Sequence, residues 1–198
     1  MAKKLHKSRP ALAGVLTRTR ELEHQGYTRP HIRTLVTRGV LEQISRGLYR
    51  VAERAPNEHF TMLAVTTRVP QAVICLLTAL RFHEIGTQSP HEIWIAIDRK
   101  ARKPRLAGLS VKVVRFSGTA LKAGVEDRMI GDRKVRITSP ARTVVDCFKY
   151  RNKIGLDVAL EALREVWRDK RATSDELWRY AKICRVANVM RPYLESLA

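Results

Sequence analysis

Acidic side chains are the first scarcity: 19 Asp and Glu stand against 38 Lys and Arg, leaving a formal charge of +19. A chain so unbalanced repels its own copies, and its natural counterpart is a polyanion. Cysteine is the second. Cys75, Cys147 and Cys184 lie far apart among apolar neighbours, with no C-x-x-C or Cys/His spacing. Their number and setting argue against a disulfide framework or a zinc site and suit reduced, buried thiols in a cytoplasmic protein. Aromatic residues make up only 6%, which is thin for the stacking platforms that read single-stranded RNA. No apolar run is long enough to span a bilayer, and the one after the basic start breaks at Thr17-Arg18, too short for a signal peptide. A Gly-rich phosphate loop is missing, Ser139 and Cys147 have no nearby His/Asp pattern, and His59, His83 and His91 lack metal-ligand spacing. No cofactor, metal or membrane partner is therefore expected.

What is present can build a core, since 44% of the 198 residues are hydrophobic. Residues 1–56 carry a net +8 and the remainder +11, so the charge belongs to the whole chain. Composition alone admits a ribosomal or other RNA-packaging protein as readily as a DNA regulator. The order of elements favours the DNA regulator, with an RNA-binding protein as an alternative.

A basic arm (Lys3, Lys4, Lys7, Arg9) leads into an apolar patch, Ala11 to Leu16, that reads as helical. Thr17 to Gln25 reads as a short helix stopped by Gly26. Thr28 is placed to cap a second helix with Pro30 in its first turn, and Gly39 ends it. Then I-S-R-G-L-Y-R-V folds back at Arg46-Gly47 as a tight hairpin. Two short helices across a sharp turn, followed by a hairpin, is the order of a winged helix-turn-helix. The expected architecture is α+β: an N-terminal winged helix-turn-helix over 1–56, then a mixed α/β domain over 57–198 with a helical C-terminal tail.

In the second domain Asn57 is placed to cap a helix running to about Val69, and residues 72–82 read as a nearly all-apolar helix. Glu92 to Asp98 and Val111 to Phe116 read as strands, and Gly131-Asp132 as a hairpin turn between two more. Ser139-Pro140 opens a capped helix, Leu156 to Trp167 is amphipathic, and Thr173 with Glu176 forms a capping box. Arg142, Thr143 and Asp146, on the first turns of a capped helix, read as ordering that turn by hydrogen bonds and an ion pair.

On a helical wheel Ile32, Leu35 and Val36 point inward, leaving Pro30, His31, Arg33, Thr34, Thr37 and Arg38 outside. Arginines can read guanine edges or phosphates, and threonines can do either. Arg29, His31, Arg33, Thr34 and Thr37 are the candidates for base readout. Arg38, Arg46 and Arg50, with Lys3, Lys4, Lys7 and Arg9, are the candidates for backbone and wing contacts. In the second domain Arg99, Lys100, Arg102, Lys103 and Arg105 form a basic loop suited to the same backbone. The bland alternative for each is a solvated face. One enzyme-like pattern competes: Asp98-Arg99-Lys100 ends a strand with an acid-x-Lys triplet, as in restriction-type nucleases. That chemistry needs a second carboxylate on a neighbouring strand to hold a divalent ion.

G-Y-T-R-P-H-I-R-T-L-V-T-R-G-V-L-E-Q-I-S-R-G-L-Y-R-V resembles the N-terminal winged helix of AbiEi-type antitoxins, most specifically at Arg38 to Leu41 followed by Arg46 to Tyr49. L-T-A-L-R-F-H-E-I (Leu77 to Ile85) and V-R-I-T-S-P-A-R-T-V-V-D (Val135 to Asp146) agree with the same family. Cys75 and Thr78 depart from an expected serine, and Glu84-Ile85 from a Gly-Leu ending. The resemblance implies an autorepressor that binds inverted repeats in its own promoter. It also implies the antitoxin of a type IV toxin-antitoxin operon whose toxin is nucleotidyltransferase-like. No long apolar edge or heptad pattern calls for a strong dimer, so a monomer that binds cooperatively on DNA is expected.

Overall fold

The computed structural model describes residues 16–52, 59–131 and 133–197. The basic arm and the Ala11–Val15 patch lie outside them, as does Asn57. The described chain is a mixed α+β protein with two sheets.

The N-terminal sheet has the order β1-β3-β2, built from β1 (Thr17–Arg18), β2 (Leu41–Ser45) and β3 (Leu48–Val51), all antiparallel. Between β1 and β2 lie helices α1 (Thr19–His24) and α2 (Arg29–Thr37). The helix expected over 17–25 thus opens two residues late. Thr17, a β-branched residue suited to a pleated surface, is 4% exposed and pairs with Tyr49. Arg18 then gives its backbone N–H to the Glu21 carboxylate at 2.9 Å, closing the helix start. Thr28 caps α2 as expected, its hydroxyl accepting the His31 N–H. Leu22, Ile32, Leu35 and Leu41 form the small core of this region.

The second sheet has five strands in the order β6-β5-β4-β8-β7: β4 (Val73–Ile74), β5 (Ile93–Asp98), β6 (Val111–Phe116), β7 (Val125–Ile130) and β8 (Arg133–Thr138). Pairs β5–β6 and β4–β8 are parallel, while β4–β5 and β7–β8 are antiparallel. Helices α3 (Phe60–Arg68), α4 (Leu76–Phe82), α5 (Thr119–Lys122), α6 (Pro140–Lys149), α7 (Arg151–Ile154), α8 (Leu156–Arg168), α9 (Ser174–Cys184) and α10 (Ala187–Glu195) complete it.

Two expectations need correction here. The apolar run 72–82 is not one helix: Val73 and Ile74 form the central strand, and the helix begins after Cys75. An unbroken apolar run has no period to separate strand from helix, and the β-branched pair decides it, Val73 pairing with Ala96 and Ile74 with Ile95 and Ile137. The helix assigned to Asn57 opens at Phe60, with His59 in the cap position.

The sheet is buried on both faces, and its side chains alternate between two apolar clusters with the period of a strand. Val73, Trp94, Ala96, Val114 and Phe116 face α4, α6, α8, α9 and α10. Ile74, Ile95, Ile97, Val135 and Ile137 face α3 and, with it, Leu16 just before β1 and Leu48 of β3. One core therefore crosses residue 57, and the N-terminal sheet is seated on the second sheet rather than tethered beside it.

Candidate nucleic-acid interface

Helix α2 shows the amphipathic division its sequence implies. Ile32 and Leu35 are buried at 2% and 9% exposure, and Arg29, His31, Arg33, Thr34, Thr37 and Arg38 are exposed. The outward set is constrained in ways the wheel does not show. Arg29 Nε donates to Glu23 Oε1 at 3.0 Å, an exposed pair that a phosphate can displace. The His31 ring lies 5.2 Å from that of Tyr27, which limits its swing. The hydroxyls of Thr34 and Thr37 each donate to a carbonyl one turn back, Pro30 and Arg33, both at 3.1 Å. Their protons are spent inside the helix, so toward a ligand these threonines offer a lone pair or a methyl group.

Between α1, α2 and the hairpin lies a concave patch of about 470 Å³, rimmed by Arg20, Arg29, Arg33 and Arg46 with Gln43 and Glu23. Arg20 was not among the sequence candidates. Its signal was the outward position next to Thr19 at the start of α1, which only the approach of the hairpin turns into a wall of the patch. Gly47 at the hairpin tip takes φ +73°, a left-handed conformation that glycine adopts without strain. The tip is also anchored: the Arg68 guanidinium at the end of α3 donates to the Arg46 carbonyl, and to Ser45 Oγ at 3.1 Å. Arg46 therefore presents its side chain from a fixed backbone.

Arg50 is placed differently from the expectation. Its guanidinium is paired with Glu42 across the hairpin and lies 5.4 Å from the Phe60 ring centroid, leaving the side chain 14% exposed. This residue joins the hairpin to α3 instead of reaching outward. Lys3, Lys4, Lys7 and Arg9 lie outside the described residues.

The basic loop after β5 is ordered from beneath. Arg115 Nη1 donates to the carbonyls of Asp98, Arg99 and Ala101 at 3.2, 2.8 and 2.8 Å, and Asp98 Oδ1 accepts the Lys100 N–H at 2.8 Å. Leu106 and Leu109 pack with Ile44 of β2 in the shared apolar cluster. The loop is thus held beside the hairpin while Arg99, Lys100, Arg102, Lys103 and Arg105 remain exposed. At the base of the loop stands the acid-x-Lys triplet, its Asp98 engaged with the Lys100 N–H. Glu92, at the far end of β5, pairs with Lys112 at 3.1 Å, and among the described residues no group of three or more His, Cys, Asp or Glu could hold an ion.

Arg142, Thr143 and Asp146 are interior residues, at most 1% exposed. Arg142 Nε donates to Asp146 Oδ1 at 2.9 Å, and its other two nitrogens donate to the carbonyls of Ala123 and Ala120, both at 2.6 Å. Burial pushes the Asp146 carboxyl up to about 6, against the pull of Arg142. This ion pair ties α6 to the α5 turn and belongs to the architecture, as the sequence suggested. All three cysteines are free and buried. No helix among the described residues is long and apolar enough to cross a membrane.

These features define an α+β protein that displays a helix pair and a hairpin rich in arginine, seated on a larger basic body. Residues 14–52 match the family described as transcriptional regulator, AbiEi antitoxin, so this stretch is similar to the corresponding region of such proteins. The solved structure of the RV2827C protein from Mycobacterium tuberculosis shares the fold. Its TM-score is 0.62 at 18% identity, covering 85% of this chain and 67% of that one. No curated protein matches the sequence.

Proposed function

We propose that the protein is a sequence-specific, duplex-DNA-binding transcriptional regulator whose N-terminal region works as a winged helix-turn-helix. The observation that carries this reading is the patch where Arg20, Arg29, Arg33 and Arg46 converge from two helices and a hairpin, with Glu23 as its one acidic side chain. Helix α2 enters the major groove, with Arg29, His31, Arg33, Thr34 and Thr37 at base edges. Arg46 at the hairpin tip and Arg20 and Arg38 on the helices grip phosphates. The basic loop from Arg99 to Arg105, held beside the hairpin, continues the track along the backbone. Residues 1–56 supply sequence choice and residues 57–198 extend the contact.

The match over residues 14–52 supports a finer statement. The protein is the antitoxin and autorepressor of a type IV operon, a cytoplasmic non-enzymatic protein that binds inverted repeats in its own promoter. It acts against a nucleotidyltransferase-like toxin, and binds as monomers that cooperate on adjacent half-sites. The test is a gel-shift titration with its own upstream DNA as probe, and random duplex and single-stranded RNA as competitors, at two salt concentrations. Stepwise binding that resists random DNA is the expected result. Equal binding to every polyanion, collapsing with salt, would leave only charge and overturn the reading.

A further inference from the structure

A second cationic concavity lies away from the α2 patch. At the carboxyl ends of the parallel strands β5 and β6, a cleft of about 770 Å³ is lined by Arg99, Arg115, Lys149 and Arg185, with the hydroxyls of Ser117 and Thr119. Crevices beyond the carboxyl ends of parallel strands are where open sheets take small ligands, and this volume is in the usual range for them. No Asp or Glu lines the cleft. Among the described residues none of the four cations pairs with a carboxylate.

Two of the four have evident structural duties. Arg115 holds the loop carbonyls, and Lys149 Nζ donates to the Cys184 carbonyl at 2.8 Å. Hydrogen bonds to neutral carbonyls orient these cations without cancelling their charge. Arg99 and Arg185 are exposed at the rim. Arg185 is the telling one: it caps α9 in the left-handed conformation, φ 60° and ψ 43°, where glycine is the residue of least strain. The arginine brings no backbone advantage there, so its exchange for glycine removes the charge without straining the helix end.

We propose that this cleft binds the polyphosphate chain of a small ligand, either a nucleoside triphosphate or inorganic polyphosphate. Four positive charges without a carboxylate partner, gathered along one cleft, suit a compact, multiply charged anion. The cleft shares Arg99 with the proposed DNA track, whereas Arg185 lies outside that track and tells the two apart.

Calorimetric titration of the full chain with tripolyphosphate and with ATP, at about 150 mM salt, tests it. Arg99→Ala and Arg185→Gly are each expected to weaken binding about tenfold or more, while Arg33→Ala leaves it unchanged. Arg185→Gly is also expected to keep or raise the melting temperature without ligand, which separates lost binding from lost folding. Tighter binding of ATP than of tripolyphosphate would assign the nucleotide as ligand, and equal binding the inorganic chain. Absent binding, an equal loss in Arg33→Ala, or an equal loss of random-duplex affinity in Arg185→Gly would overturn the proposal.

Discussion

Arg133 at the start of β8 holds Glu21 of α1 in a two-pronged ion pair, Nη1 to Oε1 at 2.9 Å and Nη2 to Oε2 at 2.8 Å. The same Nη2 donates to the Leu16 carbonyl at 2.6 Å. One side chain of the large sheet therefore fixes both the strand and the helix that begin the N-terminal region. The Arg133 hydrogen bond holds the Glu21 carboxyl below its usual range, so the pair contributes stability at neutral pH that is lost on acidification.

Arg133→Ala and Glu21→Gln are each expected to lower unfolding free energy by about 1–2 kcal/mol, discounted because both side chains are partly exposed. The double variant should lose less than the sum. Amide exchange of α1 and α2 should quicken more than that of β5, because the clamp lies on their side. Urea unfolding and hydrogen exchange check this, and additive losses would mean that the two residues act separately.

Arg33 and Arg46 should separate by salt. As a bidentate guanine reader, Arg33 replaced by Ala costs about 1–3 kcal/mol on operator DNA and relaxes one base position. In the proposed reading Arg46, on an anchored hairpin tip, contacts phosphate. Arg46→Ala should weaken operator and random duplex alike and flatten the slope of log affinity against log salt by about 1. Titrations at three salt concentrations distinguish them. Equal loss on both DNAs in Arg33→Ala would reassign Arg33 to phosphate.

The Arg142–Asp146 pair should be costly to halve. Asp146→Ala leaves a guanidinium in an interior with no counter-ion, a loss of about 3–5 kcal/mol. Arg142→Met with Asp146→Leu removes both charges and should cost less than Asp146→Ala alone. Its residual cost is the loss of donors to the Ala120 and Ala123 carbonyls. Denaturant titration of the two variants gives the ranking directly.

The local features were the readable ones. The Thr28, Ser139 and Thr173 caps and the Gly131 turn each lie within a few residues of what they control, and each forms as read. Val73-Ile74 was not readable as a strand, because its partners Ile95 and Ile137 are far along the chain and its neighbours are uniformly apolar. The same distance hid the roles of the arginines. Arg50 and Arg33 look alike in sequence; Glu42 and Phe60 bind one down while α2 holds the other out. Arg20 joins the patch only because the hairpin folds over α1.

His83 should make stability fall as the solution is acidified. It follows α4, is 8% exposed, and its Nε2–H donates to the Thr138 carbonyl at 2.7 Å. Burial lowers its pKa below the ordinary 6.5, outweighing the hydrogen bond that raises it. The folded protein thus binds this proton less readily than the unfolded chain does, so unfolding takes one up. Stability from this group is full above 6.5 and declines as pH falls through that value toward the depressed folded one. Asp146 acts with the opposite sign, since its carboxyl is raised from 3.8 to about 6 and takes a proton first in the folded state. The comparison must therefore be with His83→Gln, which keeps a donor for Thr138 but cannot titrate. Between pH 7.5 and 5.5, about one unit either side of the free imidazole value, the wild-type melting temperature should drop relative to that of the variant. Parallel curves would mean that His83 keeps its solution affinity for the proton, and that its burial is relieved before the chain unfolds.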